Sequence, residues 1–269
     1  SAFITHELKL YSGTFNKTIT LANGASTSGN ITLTQANIDA IYALYTTQTY
    51  APFNIELTTK LAGRQLGSKK TLTAGDGSLT FNNAAVAPTF TGTPTYADTN
   101  TAITAITTNN QHIVQNKSNL KVTIPASSST AKYGATLATY AVTVNGVERT
   151  APYSASAVTV DFGLVNVDSN TTAQVAVIDS RGMRTSKSIA ITVFPYSTPT
   201  ITGSAVRANG FDSNTTLSAL GTFASVNAKN TLSSVQYRYK LTSTGTWGSY
   251  ASLTPTVTSG TYTTNTPVV

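Results

Sequence analysis

Asp179-Ser-Arg-Gly-Met-Arg-Thr-Ser-Lys-Ser-Ile-Ala-Ile-Thr-Val193, followed by Pro195 and Pro199, is the stretch whose reading decides the fold. It reads as the end of one strand, a tight turn, a second strand of alternating polar and β-branched residues, and a proline-marked exit. Side chains two apart share a sheet face, so the alternation predicts a strand with one buried side. A hairpin of this kind closes a small β-sandwich and hands the chain to its neighbour. A weaker copy lies upstream, where Gly67-Ser-Lys-Lys-Thr-Leu-Thr73 is followed by Ala87-Pro-Thr-Phe90, which parallels Thr198-Pro-Thr-Ile201. A second echo pairs Ala131-Lys-Tyr-Gly-Ala-Thr-Leu-Ala-Thr-Tyr140 with Ala228-Lys-Asn-Thr-Leu-Ser-Ser-Val-Gln-Tyr237. Repeated strand-and-linker units predict an all-β chain of tandem immunoglobulin-like sandwiches.

Working outward, the pattern divides into three modules, 1–86, 87–196 and 197–269. In the first, alternation marks strands at Phe3–Leu10, Thr18–Leu21, Asn30–Leu33, Phe53–Thr59 and Lys69–Thr73, with a turn at Asp76-Gly77. One short helix interrupts them near 34–47. Thr34 suits an N-cap, and Ile38, Ile41, Tyr42 and Tyr45 recur at helical spacing. In the second module Ser118–Ile124 reads as a strand ended by Pro125, and Leu137–Val144 alternates cleanly. Asn145-Gly146 then signals a two-residue hairpin, because both central positions of that turn need positive φ. Strands follow at Ala157–Phe162 and Thr172–Ile178. In the third module Thr215–Phe223 and Leu232–Leu241 read as strands, and too few follow Trp247 to finish a sandwich. The chain opens at Ser1 and stops at Val269 inside strand-like sequence, which suggests a piece of a longer polypeptide.

Composition narrows the class. The chain has 269 residues, 40 % of them hydrophobic, which is enough for packed cores. Threonine dominates the rest, and its branched side chain suits a half-solvated pleated surface. Charged residues make up only 10 %, against roughly 25 % in typical soluble domains. That balance fits an extracellular or virion β-protein better than a cytosolic enzyme. Cysteine is absent, so the sandwiches rely on their cores and thiolate metal sites are excluded. No apolar run reaches membrane-spanning length. The net charge is +7, but the basic residues are scattered, with small groups at Lys69-Lys70, at Arg181/Arg184/Lys187 and at Arg238/Lys240. Nucleic-acid binders concentrate such residues in a patch. Scattered Lys and Arg at strand edges discourage unwanted strand pairing. If the chain meets an anionic surface, Arg181, Arg184 and Lys187 form the group expected to touch it.

Catalysis needs convergent titratable groups, and the sequence offers few. His6 and His112 lie far apart without ligand-spaced partners; His6 belongs to a strand and His112 to a loop. Asp161 and Asp168 are a nominal carboxylate pair, but they flank Phe-Gly-Leu-Val-Asn-Val and read as strand-end or turn positions. Asp98-Thr-Asn100 and Asp168-Ser-Asn170 match Asx-turns better than the start of a calcium loop. No catalytic, cofactor or metal residue is assigned, and an enzyme is not expected. Tyr237, Tyr239, Trp247 and Tyr250 lie close together in the third module, with Tyr237 and Tyr239 two apart on a strand. Tyr and Trp supply rigid amphipathic area, so these four are the candidates for a glycan or protein contact; filling the core is the competing reading.

Lys132–Gly146, Ile178–Lys187 and Val235–Lys240 resemble segments of siphophage minor structural proteins, virion proteins of phages of Gram-positive bacteria that carry tandem immunoglobulin-like modules. The resemblance implies a virion location near the tail or baseplate, a structural or host-surface-contact role, and no catalytic residues. Two functions remain open. One is a tail- or baseplate-associated structural protein that spaces or decorates the tail, with other virion proteins as partners. The other is a carbohydrate-binding adhesin or receptor-binding module for cell-wall polysaccharide. Neither implies nucleic acid, membrane insertion or a cofactor, and a homo-oligomer is compatible with both.

Overall fold

The computed structural model describes residues 3–21, 30–72, 77–210, 214–243 and 245–268. Strands β1 (Ile4–Ser12) and β2 (Phe15–Leu21) precede helix α1 (Gln35–Leu44). Then come β3 (Tyr50–Pro52), β4 (Asn54–Leu61), β5 (Arg64–Gln65), β6 (Lys70–Leu72), β7 (Ser78–Thr80) and the single-turn α2 (Asn83–Val86). β8 (Thr89–Phe90) and β9 (Thr95–Asp98) lead to α3 (Thr101–Thr107), β10 (His112–Val114), β11 (Asn119–Ile124) and β12 (Ser129–Thr130). The central run is β13 (Leu137–Val144), β14 (Val147–Pro152), β15 (Val158–Leu164), β16 (Thr171–Asp179) and β17 (Arg184–Phe194). The last part holds β18 (Thr200–Arg207), β19 (Thr215–Thr222), β20 (Val235–Tyr237), β21 (Ala251–Leu253), β22 (Thr256–Thr258) and β23 (Thr261–Val268). The chain is all-β, built mostly from antiparallel pairs and hairpins, and the three helices among the described residues are short. Two compact units emerge, Ser1–Thr95 with Thr123–Val160 and Ala173–Ile189, and Tyr96–Val122 with Asp161–Thr172 and Ala190–Val269.

In the first unit β1 pairs with both β2 and β4, and β5 and β6 add to β4. Helix α1 forms where the sequence places it. Thr34 caps it in a capping box with Asn37. Leu33 just before the cap and Ile38 in the first turn both pack on the core, the arrangement of a hydrophobic staple. That staple is why Asn30–Leu33, predicted as a strand, is instead an extended approach to the helix. Ile41 and Tyr42 are buried with Ala51, Phe81, Val86, Ala87 and Met183. The Tyr42 ring meets Phe81 edge-on at 4.9 Å and Tyr133 at 5.1 Å.

The hairpin β13–β14 turns through Asn145 and Gly146 at φ 47° and 76°, the positive values that the sequence demands. β13 also pairs with β16, and Tyr140, Val142, Val175 and Val177 along this pair are fully buried or nearly so. Between β16 and β17, Asp179 to Gly182 makes the predicted tight turn, with Gly182 at φ 83°. The upstream echo differs. β6 pairs back on β4, and β7 and α2 come before Pro88, so the first proline does not follow a closing hairpin. Asp76 of the expected Asp76-Gly77 turn and Thr73 of the expected strand lie outside the described residues.

In the second unit Asn100 caps α3, its side chain accepting from the Ala102 and Ile103 amides. β10 runs parallel to the end of β17, so His112, expected in a loop, sits in a strand opposite Thr192. β18, β19, β23 and β22 form a four-stranded antiparallel sheet in that order. β20 and β21 pair separately, and Ala219, Val235, Leu253 and Tyr262 form the small core there. The strand expected over Leu232–Leu241 is confined to Val235–Tyr237.

Candidate functional site

Val235 and Leu253 face each other at the base of β20–β21 and are buried, and Tyr237 packs against the same cluster. Beyond Tyr237 the segments that follow β20 and precede β21 continue as an exposed arm. Gly248 donates its amide to the Tyr239 carbonyl at 2.9 Å, Lys240 bridges to Trp247, and the Gly245 amide reaches the Leu241 carbonyl at 3.0 Å. Gly245, at φ 65°, supplies the left-handed turn that lets the arm reverse.

Alternation along Arg238-Tyr239-Lys240 brings the two cations to Trp247. The Arg238 guanidinium lies 4.8 Å from the Trp247 ring centroid and 4.8 Å from that of Tyr250. Lys240 Nζ lies 5.3 Å from Trp247. An exposed cation–π contact contributes about 0.5–1 kcal/mol, so these contacts fix side-chain orientation more than they stabilise the fold. Trp247 is 50 % exposed and Tyr250 61 %. No Asp or Glu occurs after Asp212 in the sequence, and among the described residues no carboxylate pairs with Arg238 or Lys240. Among the described residues the arm therefore offers apolar ring faces beside positive charge with no carboxylate partner. Chemically it can stack on the C–H face of a sugar and attract an anionic substituent.

The four aromatic candidates part company. Trp247 and Tyr250 share the cation cluster. Tyr239 is equally exposed, 61 %, but is flanked by the two cations that turn to Trp247. Tyr237 is partly buried in the core, so its expected shared face with Tyr239 ends where β20 ends. Sequence reasoning left Arg238 and Lys240 out of the aromatic site, although their period of two beside Trp247 was the available signal.

The basic group expected on an anionic surface is used internally. Arg181 is a correction, because its side chain is fully buried with that of Asp179, 3.3 Å away. Its Nε donates to the Tyr45 carbonyl at 2.9 Å, and its terminal nitrogens donate to the carbonyls of Tyr42 (3.0 Å), Tyr133 (2.8 Å) and Lys132 (3.2 Å). With the Asp179 contact, these bonds occupy the guanidinium's full set of five donors. Tyr42 and Tyr45 stand at the C-terminal end of α1, where carbonyls lack helical partners and a cation is favoured. Arg184 pairs with Glu148 at 2.6 Å, both about two-fifths exposed, and its amide donates to the Asn83 side chain. That hydrogen bond from Arg184 holds the Glu148 carboxyl below its ordinary pKa. Lys187 donates to the carbonyls of Thr91 and Gly92 at 2.8 and 2.7 Å and lies over the Phe90 ring. Arg181 is thus sealed from any surface polyanion, while Arg184 and Lys187 stay at the surface with partners inside the fold.

The remaining titratable candidates take local roles. His6 Nδ1 contacts Thr59 Oγ1 at 3.0 Å across β1–β4. His112 meets the Phe194 ring edge-on, 5.0 Å between centroids. Asp161 accepts from the Gly163 amide at 2.8 Å, and Asp98 accepts from the amides of Asn100 and Asn119, both at 2.8 Å. The Asp98 and Asp161 geometries are those of Asx-turns. Among the described residues no three acidic or His side chains gather as a metal site, and no helix is long and apolar enough to cross a membrane.

Solved structures resemble the chain only distantly. Fibronectin(III)-like modules of Clostridium thermocellum CbhA match at 12 % identity over 72 % of this chain and 81 % of theirs, with a TM-score of 0.26. A bacterial 1.5-MDa ice-binding adhesin, from work on its retention at the host cell surface, matches at 13 % identity over 99 % of this chain and 76 % of that one, with a TM-score of 0.27. No curated protein matches. The model of the family described as siphovirus protein of unknown function, DUF859, matches residues 1–259, and the chain belongs to that siphovirus family.

Proposed function

We propose that the chain is a non-enzymatic structural protein of the siphophage virion, associated with the tail or baseplate, where its β-modules space or decorate the particle. Membership of a siphovirus family across residues 1–259 carries this reading. The all-β frame supports it, because sheet strands backed by buried side chains such as Tyr140, Val142, Val175 and Val177 make stiff spacers. Immunogold labelling of intact particles tests it. Label on the tail or baseplate is the expected outcome; particles that carry none overturn the reading.

A second reading, contact with cell-wall polysaccharide, is favoured by one observation: the exposed arm that joins Arg238 and Lys240 to Trp247 and Tyr250. It predicts retention of the protein on purified walls of the host bacterium. Trp247→Ala lowers that retention about tenfold, the loss of one hot-spot aromatic. Wild-type protein that passes through the walls unbound sinks this reading and leaves the structural one standing.

A further inference from the structure

Strand β18 is the end strand of its sheet and pairs, among the described residues, only with β19. Every one of its eight residues is exposed. The other sheet ends differ from it in a telling way. β2 carries Lys17, β5 Arg64, β6 Lys70, β14 Glu148 and Arg149, and β15 Asp161, while β3, β7, β8, β10, β12, β20, β21 and β22 have only two or three residues each and β9 has four. Charge and shortness are the devices that keep an edge from pairing with another chain. β18 has neither from Thr200 to Val206. It also holds no proline, and its register with β19 runs unbroken from Thr200 to Arg207.

Its two faces are suited to a copy of themselves. Ile201, Gly203 and Ala205 share a face with Leu217 and Ala219 of β19, which pack in the small core of this sheet. Ile201 is nevertheless 62 % exposed and Val206, on the other face, 60 %. When a strand pairs antiparallel with itself, backbone groups alternate in direction, so opposed residues must be an even number apart. The pairing therefore centres on a residue. Centred on Ser204, it sets Ile201 against the charged Arg207. Centred on Gly203, it sets Ile201 against Ala205, Thr202 against Ser204 and Thr200 against Val206. Arg207 then falls opposite Pro199, which has no amide to give, and the ladder ends there.

We propose that β18 is an association edge and that its partner is the β18 strand of a second copy, in an antiparallel two-fold pairing centred on Gly203. The pairing joins two four-stranded sheets into one continuous sheet and satisfies the open backbone edge of both copies. Because the same strand is used on each side, the contact closes at a dimer. This inference is independent of what the aromatic arm binds.

Sedimentation velocity of the full chain over a concentration series tests it, with circular dichroism confirming that each variant folds. A monomer–dimer equilibrium is expected. Thr202→Glu breaks the uncharged edge and weakens dimerisation by about tenfold or more. In the double variant T202E/S204K the Gly203-centred register sets each Glu opposite a Lys of the other copy, and dimerisation returns. Wild type that stays monomeric at every concentration overturns the proposal. So does a dimer that Thr202→Glu leaves intact, and so does a double variant as weak as the single one.

Discussion

Arg181 shows how one side chain is turned from surface chemistry to structure. Its guanidinium joins the β16–β17 turn, the end of α1 and the Lys132-Tyr133 segment, partners up to 139 residues away in sequence. Arg181→Met leaves the Asp179 carboxylate buried without its countercharge and strips four carbonyls of their donor. A loss of about 3–5 kcal/mol is expected in denaturant unfolding. Arg181→Lys recovers little, since an ammonium cannot reproduce the planar fork of five donors. Unfolding midpoints equal to wild type for both variants contradict this account. Glu148 gives a smaller effect with a defined sign. Its carboxyl is held below its ordinary pKa by Arg184, so its contribution is present above the unfolded-state pKa and fades as pH falls through the folded one. Wild type therefore exceeds Glu148→Gln slightly in urea midpoint at neutral pH, and the gap closes below about pH 4. A gap that widens on acidification is the contrary outcome.

Among elements, the β13–β14 hairpin and helix α1 were the most legible in sequence, because local chemistry alone specifies them. Gly146 stands at φ 76°, and a Cβ there meets open space. Gly146→Ala thus tests backbone preference free of any clash, and about 1–2 kcal/mol of destabilisation is expected. Thr34→Ala removes the N-cap of α1 and costs about 1 kcal/mol. Chemical denaturation measures both, and changes within error of zero refute the capping and turn assignments. Elements whose reason is not local were read less well. Asn30–Leu33 alternates like a strand, yet its Leu33 is drawn to the α1 core as half of a staple. Helix α3 escaped notice because Thr101–Thr107 is rich in β-branched residues of low helix propensity; the Asn100 cap outweighs that bias. Leu232–Leu241 has a strand's pattern along its length, but the small core ends at Tyr237.

At the scale of the whole molecule, Trp247 is a reporter, being the single tryptophan of the chain. It is half exposed on an arm outside the small core of its unit. Its emission is expected to be red-shifted and readily quenched by acrylamide in the folded protein, and to change little when the cores unfold. A blue-shifted, protected emission shows instead that another surface covers the arm. The low charge of the chain has its clearest consequence at β18, where no Lys or Arg guards Thr200 to Val206.

Sequence by itself determined the all-β class, the Asn145-Gly146 turn, the cap of α1 and the hairpin through Asp179 to Val193, since these depend on side-chain alternation and on φ values that few residues tolerate. It also determined the resemblance to siphophage proteins that the family match bears out. Tertiary structure alone decided which charges are free. Arg181, Arg184 and Lys187 look like an open basic group, but Arg181 is buried against carbonyls distant in sequence, and the other two find a carboxylate and carbonyls as partners. Arg238 and Lys240 look ordinary and are left exposed on aromatic rings. A side chain's charge is written in the sequence, whereas its partners are set by which distant backbone groups the fold brings within about 3 Å.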